Sequence, residues 1–386
     1  MKKKVAILTT SRADYGFLCP LLDRWKKEKK IISKLIVCGS HLSKRHGYTI
    51  NEIIKDKRKI DFKFKTIQNR KTKTETSIQL VIKGFTKAID KIKPDLIFLP
   101  ADRYEILAAA YVALVKKIPI AHYAGGQITE GAWDNSIRHA VTKLSHIHFA
   151  STKNCKKKLI QMGEQPSKIF VTGSLGLENI RKIKFFSKKE IENKINFSLG
   201  KNLVLITFHP ETLEKKSTSE KIKNLIQALK NFKELNYIFT SPNLDQGNEI
   251  IINEIKKFTK DNYKTTIFIP SLGKNLYLSL MRQAKLIIGN SSSGIIETPS
   301  FKIPTINIGD RQKGRIKCKN IIDCSNSKKE IIKSIKKSLN KKFISSLKNI
   351  KNPYGDGNTS EKITFVIRKI LLNNLIKKKF YEIKNF

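Results

Sequence analysis

Short unbroken runs of Ile, Val and Leu recur along this chain, each followed by a longer stretch of helical character, and the series runs twice. A strand buried on both faces reads as a continuous apolar run rather than an alternating one, so this pattern predicts parallel sheets covered by helices. The first series holds VAILTT (5–10), SKLIVCG (33–39), DLIFLP (95–100), IPIAHY (118–123), HIHFAS (146–151) and IFVTG (169–173). Helical stretches from Phe17 to Lys29, Thr76 to Lys91 and Arg103 to Val115 lie between them. After Gly176 the pattern restarts with NLVLITFHP (202–210), LNYIFTSP (235–242), TTIFIP (265–270), AKLIIGN (284–290) and PTINIGD (304–310). At 386 residues the chain exceeds one comfortable core. The expectation is α/β, with two Rossmann-like domains over 1–178 and 179–386, the second ending in a Lys-rich helix from Thr359 to Phe386. Ligands in such sheets gather at the C-terminal ends of strands.

Composition removes several function classes. No run of about 18 uncharged apolar residues occurs, so no membrane span is expected. The five cysteines are scattered without a C-x-x-C pair, which points away from disulfides and zinc and fits a reducing cytoplasm. Cys19 and Cys38 read as small core residues. The formal net charge of +45 invites a nucleic-acid reading. The excess is nearly all Lys spread over every exposed helix, with no Arg cluster interleaved with aromatics, so no nucleic-acid partner is expected.

Four of the seven histidines (His122, His139, His146, His148) fall between Pro94 and Phe149, alongside Asp102, Glu105, Glu130 and Asp134. The first strand ends in TTSRADYG, where a dinucleotide site would carry G-x-G-x-x-G; Arg12 instead offers a fork of donors for a phosphate. Asp102 follows a buried strand and either caps the next helix or works as an acid or base. Gly125 and Gly126 permit close backbone approach to a ligand. Asp134 either caps the helix carrying Arg138 and His139 or serves in catalysis, and at least one of His146 and His148 is expected to be structural. His209 ends a strand in ITFHPET. GNSSSGIIE (289–297) joins a strand to a helix through Ser291, Ser292, Ser293 and Gly294, an arrangement suited to an anion, with Glu297 positioned to accept two sugar hydroxyls. Arg311 follows the next strand and is within reach of the same phosphates.

Laid side by side, SRADY (11–15), GSHL (39–42), PADRYE (100–105), the segment from His122 to Phe149, VTGS (171–174), FHP (208–210), PNLDQG (242–247), GNSSSGIIE and INIGDRQKGR (306–315) resemble the UDP-N-acetylglucosamine 2-epimerase family. The likeness is to its hydrolysing branch, over nearly the whole chain. The resemblance implies a GT-B architecture with the active site in the interdomain cleft, no cofactor and no metal. It implies that Arg12, Ser291, Ser292, Glu297 and Arg311 hold UDP, with Ser293, Gly294, His41, Gln127 and Asn243 also at the substrate. Asp102, Asp134 and His209 become the catalytic groups. The family glutamate two residues after the His is here Ala124, and a second acidic position is Gln127; Glu130 is the candidate replacement. The implied reaction eliminates UDP across C1–C2 and hydrates the resulting glycal with inversion at C2. UDP-N-acetylglucosamine is the first expected substrate, released as UDP and N-acetylmannosamine for sialic-type acids, and UDP-N,N'-diacetylbacillosamine is the alternative. A cytoplasmic homo-oligomer, dimer or tetramer, is expected, and a basic nucleic-acid-binding protein is the remote competitor.

Overall fold

The computed structural model describes residues 2–44, 47–69, 72–130, 132–211, 217–243, 247–372 and 375–383. The chain divides into two compact units. The first, Met1–Gln127 with Asp134–Asn179 and Tyr354–Phe386, is built on one sheet. Its strands are β1 (Lys3–Thr9), β2 (Ile31–Val37), β3 (Phe62–Lys63), β4 (Leu96–Pro100), β5 (Ile120–Tyr123), β6 (Ile147–Ala150) and β7 (Ile169–Val171). They lie in the order β3-β2-β1-β4-β5-β6-β7, and every pairing is parallel. Strand order reverses between β1 and β4, which opens a crevice at their C-terminal ends.

Alternation along β1 separates two cores. Val5 and Ile7 join Leu18, Trp25, Phe98, Phe149, Ile363 and Ile367 on one face. Ala6 and Leu8 join Val81, Phe85, Ile97, Leu99 and Ile106 on the other. Burial on both sides is what demanded the continuous apolar runs.

The second unit, Ile128–Trp133 with Ile180–Pro353, repeats the plan. Its strands are β8 (Leu203–Thr207), β9 (Asn236–Thr240), β10 (Thr266–Ile269), β11 (Leu286–Gly289), β12 (Thr305–Ile308) and β13 (Ile321–Cys324). All are parallel, in the order β10-β9-β8-β11-β12-β13, with the reversal between β8 and β11. Gly289 makes that reversal possible: at φ +143°, a Cβ there would stand 1.9 Å from the Thr207 carbonyl oxygen.

Three departures from the sequence reading have physical causes. Residues 354–386 pack on the first unit rather than the second, because helix Thr359–Lys369 covers the β1 face with Ile363 and Ile367. The segment Ile128–Trp133 belongs with the second unit, drawn there by the Glu130 amide donating to the Lys313 carbonyl at 3.2 Å. The terminal helix stops at Lys369, where its last carbonyls meet a charge from β1. Lys3 Nζ donates to the carbonyls of Ile367 (2.7 Å), Arg368 (2.9 Å) and Ile370 (2.6 Å), a cation at the negative end of the helix. Among the described residues no helix is long and apolar enough to cross a membrane.

Candidate functional site

In the first unit, the crevice between β1 and β4 is organised by a residue the sequence reading did not single out. Ser11 caps helix Arg12–Lys27 in a capping box with Asp14. The buried Asp14 carboxylate accepts from the Thr10 and Ser11 amides and the Tyr15 amide, each at 2.8 Å. This fixes the turn that presents Arg12, which is half-buried and makes no ion pair among the described residues. His41 is fully enclosed, with Nε2 3.0 Å from Thr9 Oγ1 and Nδ1 2.8 Å from Thr49 Oγ1. Burial lowers its pKa. It therefore braces the β1 turn rather than offering a surface to a ligand. Gly39, at φ +65°, lets β2 pass the Thr10 carbonyl, where a Cβ would approach to 2.3 Å.

Asp102 does not cap the helix that follows. Arg103 is the N-cap of helix Tyr104–Val115 and no side chain caps it. Asp102 Oδ2 instead accepts from Arg138 Nε at 2.8 Å and from a second guanidinium nitrogen. Arg138, 1% exposed, also donates from NH1 to the Gln127 carbonyl at 2.8 Å. Asp134 opens helix Asp134–Leu144, the element that carries Arg138. The β4 and β5 termini are conformationally unusual: Ala101 and Ala124 adopt φ of +60° and +71°, a region that L residues seldom occupy and that clusters at functional sites. The Gln127 side chain is buried and donates to Ser151 Oγ at 2.8 Å.

Three of the four clustered histidines take structural roles. His122 bridges the Ala101 carbonyl (2.9 Å) and Thr142 Oγ1 (3.2 Å), and burial pushes its pKa down to about 3. His146 Nδ1 accepts from the Ile120 amide at 3.1 Å, and burial brings it down to about 4. His148 Nε2 lies 2.9 Å from the buried Glu164 carboxylate. All three tie strands and helices of the unit together.

In the second unit, the β8–β11 crevice gathers the polar residues around Asn290, which has no exposed surface. The His209 amide donates to Asn290 Oδ1 (2.7 Å), and Asn290 Nδ2 returns a bond to the His209 carbonyl (2.9 Å). Two further donors reach the Asn290 carbonyl, Arg311 NH1 at 3.2 Å and Gln312 Nε2 at 2.9 Å. The Asn243 amide donates to His209 Nδ1 at 2.8 Å. That contact makes Nδ1 the acceptor, so the neutral ring carries its proton on Nε2. Burial, with the Arg311 charge second, holds the His209 pKa well below the usual value. His209 is thus a neutral hydrogen-bond donor. Arg311 is steadied from behind by its own amide, which donates to buried Glu211 at 3.1 Å; Glu211 pairs with Lys221.

The serine turn is tightly connected. Ser293 Oγ is 2.6 Å from the Tyr277 hydroxyl and 3.3 Å from Ser291 Oγ. These residues, with Thr207, Gly294 and Asn307, line a recess beneath the crevice. The expected single helix after the turn is two one-turn pieces, Ser293–Ile296 and Thr298–Phe301, since Pro299 cannot donate into a continuous ladder. The turn thus offers local amides rather than the N-terminus of a long helix. Glu297 stands at the break, half-buried and without a side-chain hydrogen bond among the described residues. Burial pushes its carboxyl up to about 7. Glu130, by contrast, is half-exposed and pairs with Lys313 at 3.1 Å. No group of three or more His, Cys, Asp or Glu is gathered for a metal among the described residues.

Comparison with known proteins interprets this geometry. The model of one family, UDP-N-acetylglucosamine 2-epimerase, matches residues 23–368. The chain belongs to this epimerase family. It is 42% identical over 83% of its length to a hydrolysing GDP/UDP-N,N'-diacetylbacillosamine 2-epimerase of Campylobacter jejuni, covering 84% of that protein. It is 36% identical to the polysialic acid biosynthesis protein P7 of Escherichia coli, over 99% of this chain and 98% of the relative. The UDP-GlcNAc 2-epimerase of Neisseria meningitidis, solved bound to UDP-GlcNAc, shares the fold with a TM-score of 0.82. That likeness covers 95% of this chain and all of the other at 20% identity. The GT-B architecture expected of an epimerase is thereby established.

Within this epimerase, the sequence-derived candidates separate into two sets by unit. Arg12, His41, Asp102, Asp134 and Gln127 belong to the first, while Glu130, His209, Asn243, Ser291 to Gly294, Glu297 and Arg311 belong to the second. Asp14, Arg138, Asn290 and Gln312 were missed. Arg138 was visible only as a neighbour of His139, and Asn290 sat inside a quoted motif. Arg138 and Asn290 depend on Asp102 and His209, 36 and 81 residues away, which no local pattern announces; the Ser11–Asp14 capping box, by contrast, is a local signature that could have been read.

Proposed function

We propose that this enzyme is a hydrolysing 2-epimerase of a nucleotide-linked 2-acetamido sugar, releasing the nucleoside diphosphate and a free sugar inverted at C2. The observation that carries the reading is the β8–β11 crevice. There a neutral His209 donor, the Arg311 guanidinium, the serine turn and an unpartnered Glu297 are arranged as a nucleoside-diphosphate site needs. The leaving diphosphate requires donors that strengthen as its charge develops, and His209 Nε2–H and Arg311 are such donors. Glu297 accepts from the two ribose hydroxyls. In the first unit, Asp102, oriented by Arg138, and Asp134 take the two proton transfers. One removes the C2 proton as the C1–O bond to UDP breaks. The glycal then takes water at C1 and a proton at C2 on the opposite face. Glu130 is assigned to the surface, a reading supported by its exposed pair with Lys313.

The 42% identity to the Campylobacter jejuni enzyme favours a diacetylbacillosamine-type substrate. The relationship to protein P7 favours the N-acetylglucosamine substrate of sialic-type pathways as the second reading. Proton NMR with each UDP-sugar in deuterated water decides between them and tests the mechanism. The expected product is a free 2-epimerised sugar carrying deuterium at C2, with UDP released. Retention of the original C2 hydrogen would overturn the elimination. Asp102→Asn is expected to lower turnover by about a hundredfold or more while UDP affinity stays within a few-fold. A variant that loses both equally would show that Asp102 serves the fold through Arg138.

A further inference from the structure

Residues 375–383 form neither helix nor strand, yet side chains and backbone both fasten them to the first unit. Leu375 is buried in the core on the β1 face. Phe380 lays its ring on Gly163, where a Cβ would stand 2.1 Å from it. The Tyr381 amide donates to the Gly163 carbonyl at 2.8 Å, and Gln165 Nε2 donates to the Phe380 carbonyl at 3.3 Å. The segment is a strap.

The strap delivers Lys378 to a buried carboxylate. Lys378 Nζ is 2.6 Å from Glu164 Oε2, and Glu164 is 1% exposed. The same carboxylate accepts from Lys143 Nζ at 3.0 Å and faces His148 Nε2 at 2.9 Å. Burial would raise the Glu164 carboxyl, but the His148 and Lys378 contacts outweigh it and hold its pKa below the usual carboxylate range. Lys378 therefore meets a permanent charge. It also donates to the Lys143 carbonyl at 2.9 Å and the Thr142 carbonyl at 3.3 Å. Both carbonyls lie in the last turn of helix Asp134–Leu144, the end that a cation stabilises.

From Thr142 the contacts lead back to Asp102. Thr142 Oγ1 is 3.2 Å from His122 Nδ1, and His122 Nε2 is 2.9 Å from the Ala101 carbonyl. Ala101, at φ +60°, sets the direction in which Asp102 leaves β4. One turn before Thr142 on the same helix, Arg138 grips the Asp102 side chain at 2.8 Å. The backbone and the side chain of Asp102 are thus both referred to one helix, and Lys378 pins that helix at its far end.

We propose, on the assignment of a proton transfer to Asp102 made above, that Lys378 is a positioning residue for the epimerase reaction. The strap fixes the setting of helix Asp134–Leu144 and, through Thr142, His122 and Arg138, the aim of Asp102 at the sugar. A displacement of about 1 Å at a reacting group costs up to about a hundredfold in rate. Nucleotide binding, assigned to the second unit, has no part in the strap.

Steady-state kinetics on the full chain test this, with whichever of the two UDP-sugars the NMR assay shows to be turned over. Lys378→Met keeps the aliphatic stem and removes the donors. It should lower kcat by about tenfold or more, while KM and calorimetric UDP affinity stay within about twofold. Phe380→Ala loosens the strap without unpairing Glu164 and should lower kcat in the same sense, so the test survives if Lys378→Met folds poorly. Asp102→Asn supplies the readout that a folding role would not move. On that background Lys378→Met should change the residual turnover by less than about twofold, since no carboxylate is left to aim, whereas a folding defect would lower both backgrounds by the same factor. Equal factors on the two backgrounds, or a matching loss of UDP affinity, would overturn the positioning role. If Asp102→Asn lowers turnover while Lys378→Met and Phe380→Ala keep the wild-type kcat, the strap has no such role and the reading of Asp102 stands. If Asp102→Asn keeps its turnover, both fall.

Discussion

At the scale of single residues, Glu297 carries the sharpest consequence. Its carboxyl, lifted from 4.5 to about 7 by burial, is half protonated near neutrality in the free protein. In the proposed complex the ribose hydroxyls donate to the ionised form, which would hold the group charged, so that binding releases a proton below pH 7. UDP affinity is therefore expected to fall by up to about tenfold for each pH unit below 7. Glu297→Gln should bind UDP more weakly at pH 8 (about one unit above the carboxyl's midpoint) and lose this dependence. Calorimetric titration across the window is the measurement, and a wild-type affinity flat in pH would remove Glu297 from the site. Stability runs the other way. A folded pKa above the unfolded one gives a contribution that is full below about 4.5 and lost as pH rises through about 7. Glu297→Gln should therefore melt higher than wild type above pH 7. His209 behaves differently from a titrating base: held neutral by burial and Arg311, it should add no ionisation to the pH–rate profile near neutrality. His209→Ala should lower kcat/KM by about a hundredfold through loss of a donor.

At the scale of elements, the segment Ile128–Trp133 shows how far a local reading reaches. Sequence placed Glu130 beside Gln127 and made it a candidate acid, because the two are close along the chain. In the fold the segment is held to the second unit by the Glu130 amide on Lys313 and an exposed ion pair with the same lysine. An exposed pair of this kind contributes little, because water screens both charges. Glu130→Gln is thus expected to change turnover only a few-fold and the melting temperature barely, by steady-state kinetics and thermal melts; a hundredfold fall would restore it as a catalytic acid. The strands were legible because each central one is a continuous apolar run. β3 and β13 were not, since Phe62–Lys63 is two residues long and IIDC at a sheet edge carries an exposed Asp323. The placement of Asp102, His209 and Ser291 just past the ends of β4, β8 and β11 was legible, because each follows a continuous apolar run. The hub at Asn290 was not, for its partners His209, Arg311 and Gln312 lie 21 to 81 residues away along the chain.

At the scale of the whole molecule, the chain does not simply finish one domain before starting the next. Its last described stretch returns to the first unit and supplies part of that unit's core. Trp25 Nε1 donates to Thr364 Oγ1 at 3.0 Å, and Glu178, 3% exposed, accepts from the Ser360 amide at 2.8 Å and its hydroxyl at 2.6 Å. Without helix Thr359–Lys369 the β1 face would expose Leu18, Leu22 and Trp25, and the Glu178 carboxylate would lose the two Ser360 donors. An uncovered apolar face is a severe defect, and the loss of donors to a buried carboxylate adds to it. The first unit therefore cannot be isolated by cutting near residue 178. A chain ending at Pro353 should lose the cooperative unfolding of that unit and become insoluble, although the second unit's own sheet is complete without the tail. Ile367→Ala is the graded version: it removes a side chain with no exposed surface and should cost about 2–5 kcal/mol. Because UDP is assigned mainly to the second unit, this substitution should lower the first unit's melting transition while UDP affinity at low temperature stays near the wild-type value. A loss of only a few tenths of a kcal/mol, read from chemical denaturation, would show that the tail lies on the sheet without supporting it.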